Sequence, residues 1–256
     1  MYPVIACFRI YKNHYCVSSY GLCLVAAVLC GTVISMFMAR RIGRGSRDIF
    51  TFSMLVAATG FIGAAAAGFI IFIPERIAAG FFTFPPVLVS WGGIISSMAA
   101  LLLISRKWGE NAWQLADLFT PGGLIALGIG RIGCVCAGCC YGIHTDSPFG
   151  IYFTCPLAPA SVMEQPLVPV QIISACFLLF SGITGLFLLR RARRPGGLFL
   201  WSVVAYTMFR FIIEFFRADP RAFLLGLSDG QWFSVVAFAV CAYMIFKKRN
   251  YSRDYK

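Results

Sequence analysis

An all-α integral membrane fold of about seven transmembrane helices is what this chain predicts, and three observations carry the prediction. Of its 256 residues, 59% are hydrophobic and 12% are charged, against roughly 25% charged in an ordinary soluble domain. Several apolar runs reach the ~20 residues a helix needs to cross a bilayer core of about 30 Å. The basic residues, finally, are sorted along the chain instead of being spread over it.

Run length places the spans at about 17–38, 50–73, 82–104, 118–140, 170–189, 197–216 and 231–246. Arg40, Arg41, Arg44 and Arg47 follow the first span, and Arg106 and Lys107 the third. Arg190, Arg191, Arg193 and Arg194 follow the fifth, while Lys247, Lys248, Arg249, Arg253 and Lys256 end the chain. The opposite side holds only Arg9, Lys12, Arg76, Arg217 and Arg221. Cytoplasmic loops carry the basic excess, so the N-terminus is expected outside and the C-terminus in the cytoplasm. The net charge of +12 then reads as a topology signal and a contact for anionic lipid; no nucleic-acid partner is expected. Residues 81–86 read as an interfacial aromatic anchor, 190–195 as a cytoplasmic turn and 247–256 as a lipid-facing basic tail. The first 16 residues lack a signal-peptide pattern. No internal repeat is present, and residues 1–256 are expected to form a single polytopic domain.

Two arginines fall inside spans. Arg131 lies inside the Gly128-Ile-Gly-Arg-Ile-Gly133 cluster, with apolar sequence before it. An arginine at the centre of a membrane helix costs about 2.5–3.5 kcal/mol on insertion scales, so a compensating anion is expected. Arg210, Glu214 and Arg217 are spaced i, i+4, i+7, which puts all three on one helix face. An internal salt bridge with a snorkelling arginine explains that helix taken alone. Asp117 is expected to open and cap the fourth span. Arg131 and Arg210 then exceed their acidic partners, which favours an external anion such as a lipid phosphate.

The cysteines are ambiguous. Most of the 11 sit in apolar context, where Cys behaves as a small hydrophobe. Cys134, Cys136, Cys139 and Cys140 are denser and contain one C-x-x-C, Cys136 to Cys139, which suits a redox pair or half a metal site. No second C-x-x-C and no pair among His14 and His144 completes a zinc site, so small-residue packing is the expected role. Neither a metal nor a cofactor is expected.

Ser19-Tyr20-Gly21-Leu22, Asp117 with Pro121, Gly130-Arg131-Ile132-Gly133, Gly138-x-x-Tyr141-Gly142, Pro169-Val-Gln171 and the run from Tyr206 to Arg217, taken in order, resemble the prolipoprotein diacylglyceryl transferases, integral membrane enzymes of the bacterial plasma (inner) membrane. Ser19-Tyr20-Gly21-Leu22 resembles the family's Tyr-Gly-Leu, and Asp117 with Pro121, Gly130-Arg131-Ile132-Gly133 and Gly138-x-x-Tyr141-Gly142 its central signature. Ser147-Pro148-Phe149-Gly150, Pro169-Val-Gln171, Tyr206-x-x-x-Arg210-Phe-Ile-Ile-Glu214-Phe-Phe-Arg217 and Gly230-Gln231 with Ser234 follow in the family's order.

The resemblance implies transfer of a diacylglyceryl group from phosphatidylglycerol to the thiol of a lipobox cysteine in a prolipoprotein, or to a related acceptor, with release of glycerol phosphate. It implies Arg131, Arg210 and Glu214 as the catalytic groups, the arginines holding the phosphate through bidentate geometry and Glu214 orienting Arg210. Tyr20, Tyr206 and Arg217 are expected to bind the lipid head group, and the protein to act as a monomer. The chain also departs from the pattern. Trp91 stands where the family's His-Gly-Gly has its histidine, Cys134 where an asparagine follows the Gly-Arg-x-Gly, and Ala137-Gly138-Cys139 where Asn-Gly-Glu is found. Ser18 and Ile173-Ser174 replace further polar positions. The acceptor's base is therefore open, with Glu214, His144 or water as candidates. Two alternatives follow: a divergent paralogue that binds anionic phospholipid without the chemistry, and a membrane thiol oxidoreductase using Cys136 and Cys139.

Overall fold

A computed structural model describes residues 4–10, 13–39, 45–71, 89–153, 163, 165–189, 195–218 and 223–251. Within them the elements run β1 (Val4–Ile10), β2 (Asn13–Ser18), α1 (Ser19–Ala39), α2 (Ser46–Ile71), α3 (Ser90–Trp108), α4 (Ala112–Ala137), β3 (Ile151–Tyr152), β4 (Pro166–Leu167), α5 (Val170–Leu189), α6 (Gly197–Ile213), a 3-10 turn (Glu214–Phe216), β5 (Phe223–Leu224), β6 (Leu227–Ser228) and α7 (Asp229–Tyr251). The aromatic anchor expected at 81–86, the basic turn at 190–194 and the last residues of the tail lie outside the described residues.

The molecule is an all-α multi-pass membrane protein. Among the described residues, six helices are long and apolar enough to cross a bilayer. α3, with Arg106 and Lys107 in its last turn, is not among them, so the expected count of seven spans rests on sequence. Large apolar side chains remain exposed in rows at helical spacing, for example Leu22, Val25, Leu29, Val33 and Phe37 on α1. A soluble protein would bury such a row; here it is the surface for lipid tails.

Local chemistry sets the helix ends. Gly21 N–H donates to Ser18 Oγ at 3.0 Å and starts α1. Asn111 Oδ1 accepts from Trp113 N–H at 2.9 Å and starts α4, as an N-cap should. This corrects the reading of Asp117, which is a buried residue inside α4 and does not open it. α3 stops at Gly109, whose φ of 67° permits the left-handed cap. The hairpin β1–β2, with Val4 opposite Ser18 and Ile10 opposite Asn13, precedes α1 and was not anticipated from the apolar pattern.

The chain divides into two compact units, Met1–Gly31 with Thr120–Lys256, and Thr32–Phe119. The second unit is built on the α2–α3 pair. A Cβ on Gly92 would meet the Cβ of Ala67 and lie 2.7 Å from the Gly63 carbonyl oxygen, and one on Gly93 would lie 3.0 Å from the Gly60 carbonyl oxygen. Ser97 Oγ donates across the seam to the Val56 carbonyl at 3.3 Å. Small residues thus let two backbones touch, the usual route to helix association in lipid. Ile49, Phe52, Leu115 and Leu118 fill the rest of this unit, with the Phe52 ring stacked on Phe119 at 4.4 Å.

In the first unit α4 meets both α1 and α5 closely. A Cβ on Gly31 would lie 3.1 Å from the Gly122 carbonyl oxygen, and one on Gly182 3.1 Å from that of Pro121. Pro121 lacks the N–H of a regular helical residue, and both Gly182 and Gly185 of α5 give it room. Phe177 of α5 stacks on Phe209 of α6 at 4.0 Å. α6 and α7 also pack together. This arrangement carries the polar residues of α4, α5, α6 and α7 toward one another.

Candidate active site

α4 ends at Gly138, whose φ of 69° lets the chain turn back. Cys139 N–H closes the turn on the Cys134 carbonyl at 3.2 Å. Cys140 follows with φ of 58°, a left-handed conformation uncommon outside glycine. Gln171 at the start of α5 pins the turn, its Nε2 donating to the Cys139 carbonyl at 2.8 Å.

The chain then pairs with the segment after α6. Ile143 N–H donates to the Phe216 carbonyl at 3.0 Å, and Ala218 N–H to that of Tyr141 at 3.1 Å. Gly142 stands opposite Arg217, and a Cβ there would collide with the Val168 carbonyl oxygen and lie 3.0 Å from that of Phe216. Tyr141 is buried with Phe153 and Leu167. The Gly138-x-x-Tyr141-Gly142 signature therefore has a physical reading: one glycine ends a helix, the tyrosine anchors a small core, and the second glycine admits two backbones.

Arg131, Cys140, Val170, Gln171, Ser174, Arg210 and Arg217 line one cleft. Arg210 Nη1 lies 3.0 Å from Glu214 Oε2, and Arg217 Nη1 lies 3.7 Å from the same oxygen. The expected i, i+4 pair is present. Arg217, however, is not on the helix: α6 ends at Ile213, the 3-10 turn intervenes, and Arg217 is extended at φ −100°, ψ 143°. It reaches Glu214 from a strand-like segment.

Glu214 is buried and held from a third side. Ser228 Oγ donates to its Oε1 at 3.1 Å. The same Ser228 is the N-cap of α7: its Oγ accepts from Gln231 N–H at 3.2 Å, while Gln231 Oε1 accepts from Ser228 N–H at 2.9 Å. This reciprocal capping box fixes the hydroxyl that fixes the carboxylate. Gly230 leaves the space, since a Cβ there would lie 2.8 Å from Glu214 Oε1 and 3.4 Å from Arg210 Nη2.

Arg131 hydrogen-bonds the Tyr206 hydroxyl, one turn before Arg210 on α6. Arg210 is within electrostatic reach of Tyr206, Arg131 and Arg217. Tyr20, on the first turn of α1, packs against α4 where a Cβ on Gly133 would lie 3.2 Å from its Cδ2, and it is within electrostatic reach of Arg131. All six residues expected at the site thus gather on the first unit. Three guanidiniums against one carboxylate leave a net positive cleft. At separations of a few ångströms in a medium of low effective dielectric, such charges attract an anion far more strongly than in water.

The thiols divide differently from the sequence reading. Cys136 hydrogen-bonds Cys23 of α1, whereas the sulfur atoms of Cys134, Cys139 and Cys140 lie within 4.8 Å of one another. The C-x-x-C spacing therefore does not mark the thiol group that tertiary structure builds. His144 is exposed, and its backbone bridges to Leu167. Trp91 belongs to α3 of the second unit. Gln171, Ser228 and Gly230 support the site without having been expected in it, Gln171 and Gly230 having stood only within longer motifs. The Ser-x-x-Gln spacing at 228–231 was the available signal for two of the elements around Glu214.

Residues 7–247 match the sequence model of the prolipoprotein diacylglyceryl transferase family. The chain is 35% identical over 231 residues to the phosphatidylglycerol–prolipoprotein diacylglyceryl transferase 2 of Clostridium perfringens, covering 85% of each chain. It is 31% identical over 229 residues to the phosphatidylglycerol–prolipoprotein diacylglyceryl transferase of Clostridium tetani, covering 86% of this chain and 89% of that one. The like-named protein of Dehalococcoides mccartyi strain 195 is 33% identical over 164 residues, 64% of this chain and 62% of its own. The extent of these matches, over the same segments that build the arginine cleft, shows that the chain belongs to the prolipoprotein diacylglyceryl transferase family of membrane transferases.

Proposed function

We propose that this protein, in the bacterial plasma membrane, transfers the diacylglyceryl group of phosphatidylglycerol to the thiol of a lipobox cysteine in a prolipoprotein. The observation that carries the reading is the convergence of Arg131, Arg210 and Arg217 on one cleft, with Glu214 touching two of them. In the reaction the thiolate sulfur attacks the glyceryl carbon that bears the phosphate. The carbon–oxygen bond breaks, its electron pair stays on the phosphate oxygen, and glycerol phosphate leaves. Negative charge grows on that phosphate at the transition state, which is where fixed cations act most strongly.

The roles follow from the contacts. Arg131 and Arg210 take the phosphate, each orientable for bidentate hydrogen bonding. Tyr206 sets the direction of Arg131, and Glu214 that of Arg210 and Arg217; both are positioning residues. Tyr20 donates to the head group from the first turn of α1. Glu214, engaged by two arginines and a serine hydroxyl, is suited to hold cations and poorly suited to take a proton from an acceptor.

The test is complementation of a strain depleted of its own transferase, with mass spectrometry of a lipobox peptide. A diacylglyceryl mass shift is expected. Abundant protein in the membrane with no shift would overturn the transferase reading, and lipid retained by the purified protein but lost on Arg131→Ala would leave a phospholipid-binding role in its place.

A further inference from the structure

The transfer chemistry demands a thiolate, and among the described residues the cleft lining holds an arginine clamp with Cys140, Gln171 and Ser174 but no histidine or carboxylate. Three features meet beside that clamp. The sulfur atoms of Cys134, Cys139 and Cys140 lie within 4.8 Å of one another, and Cys139 Sγ also donates to the Cys134 carbonyl at 3.8 Å. Cys140 also lines the cleft with Arg131, Arg210 and Arg217. Gln171, in the same lining, is 1% exposed; its Nε2 is taken by the Cys139 carbonyl, while its Oε1 is buried with no hydrogen-bond partner among the described residues.

Three thiols at that separation match a zinc site with one position open. Zinc binds thiolates at about 2.3 Å, which sets sulfurs roughly 3.8 Å apart in a tetrahedron. The group needs to contract by about an ångström at most. Zinc with three thiolates carries a net charge of −1, and a fourth thiolate makes it −2. Arg131 and Arg217, both within electrostatic reach of Cys140, offset that charge. Packing alone explains small side chains here, but not three sulfurs turned toward one another beside a cationic cleft. Gln171 Oε1 offers an acceptor to a backbone N–H, a donor that a peptide brings and a phosphate does not.

Resting on the transferase reading, we propose that Cys134, Cys139 and Cys140 bind a zinc ion whose open position takes the acceptor cysteine as thiolate. A thiol that coordinates zinc gives up its proton, which leaves with the water it displaces. The bound sulfur attacks the glyceryl carbon, and the carbon–oxygen bond to the phosphate breaks toward Arg131 and Arg210. The thioether product has lost its charge, binds zinc weakly and dissociates. The metal thereby does the work of a general base in a chain that has Trp91 at the family's histidine position.

The experiment uses the full-length protein in detergent under reducing conditions, with zinc and cobalt as probes. About one equivalent of zinc is expected in the wild type and in Cys136→Ser, and less than about a tenth in Cys134→Ser and Cys140→Ser. Cobalt loading should give a thiolate charge-transfer band that shifts with a lipobox peptide containing cysteine and not with its serine analogue. Chelation should lower transfer by about 100-fold or more, with recovery on adding zinc. Retained phosphatidylglycerol in the serine variants shows that they are folded. Wild-type protein that holds no metal and gives no cobalt band overturns the site, and transfer that survives complete chelation overturns its role. A cobalt band that responds to the cysteine peptide in protein that never forms a diacylglyceryl peptide supports the site and overturns the transferase reading on which it rests.

Discussion

Two glycine-rich regions of this protein look alike in sequence and do different work. In the α2–α3 pair, Gly60 and Gly63 face Gly92 and Gly93, and the only result is that two backbones meet. Around the cleft, Gly142 and Gly230 also remove a Cβ, but what fills the space is the backbone of Val168 and of Phe216, the residue before Arg217, in one case and the Arg210–Glu214 pair in the other. Glycines that join helices can persist when a neighbouring chemical group has gone, because packing needs them regardless of chemistry. The Trp91-Gly92-Gly93 sequence is such a case: the glycines keep the helix seam while the residue before them has no capacity as a base. Glycines beside a charge network are tied to the network itself.

Substitutions should separate the two regions. Arg131→Ala and Arg210→Ala are expected to lower kcat/KM by about 100- to 1000-fold, the cost of removing one donor to a developing oxyanion. Steady-state transfer to a fluorescent lipobox peptide measures this, and an effect under tenfold in both would show that the clamp is not the phosphate site. Next in size, Gly230→Ala should displace Glu214 Oε1 and reduce transfer by roughly 10-fold, about 1.4 kcal/mol of transition-state energy. The melting temperature should move little, because the obstructed atoms are side-chain ends and not backbone.

Gly92→Ala sharpens the contrast from the other side. It forces a Cβ against the Gly63 carbonyl and should destabilise the fold by about 1–3 kcal/mol, the usual cost of overpacking. Transfer per folded molecule should hold, so a fall in specific activity larger than the fall in folded fraction would contradict the packing reading. The smallest effect is expected for Trp91→Phe. Loss of a true general base costs about 100- to 10,000-fold, whereas this change should leave transfer within about threefold, a matter of ~0.6 kcal/mol.

The helices were legible because their apolar runs are long and their boundaries chemical. α5 falls where run length put it, and α6 begins at the predicted residue. Asp117 shows the limit: an acidic residue near a helix start looks like a cap, but Asn111 six positions earlier had the right backbone place. The β1–β2 hairpin was hidden because short strands outside the spans lack a strong pattern. In the site, the Arg210–Glu214 pair could be read from i, i+4 spacing, since both partners lie on one helix. The Cys134–Cys139–Cys140 group could not, because local spacing favours Cys136 with Cys139, and the turn at Gly138 and Cys140 decides otherwise.

By itself, the sequence determined the membrane class, the family and the demand that Arg131 find an anion. Those follow from composition, ordered motifs and the cost of a charge in an apolar segment, none of which needs coordinates. Tertiary structure alone decided that Arg217 leaves the helix and still reaches Glu214, that Ser228 ties a helix cap to a buried carboxylate, and that three cysteine sulfurs gather where one of them, Cys140, lines the cleft. Each depends on where the backbone turns, at the end of α6, at the cap of α7 and at Gly138 and Cys140, and only that turn brings the side chains within a few ångströms, where hydrogen-bond and Coulomb energies act.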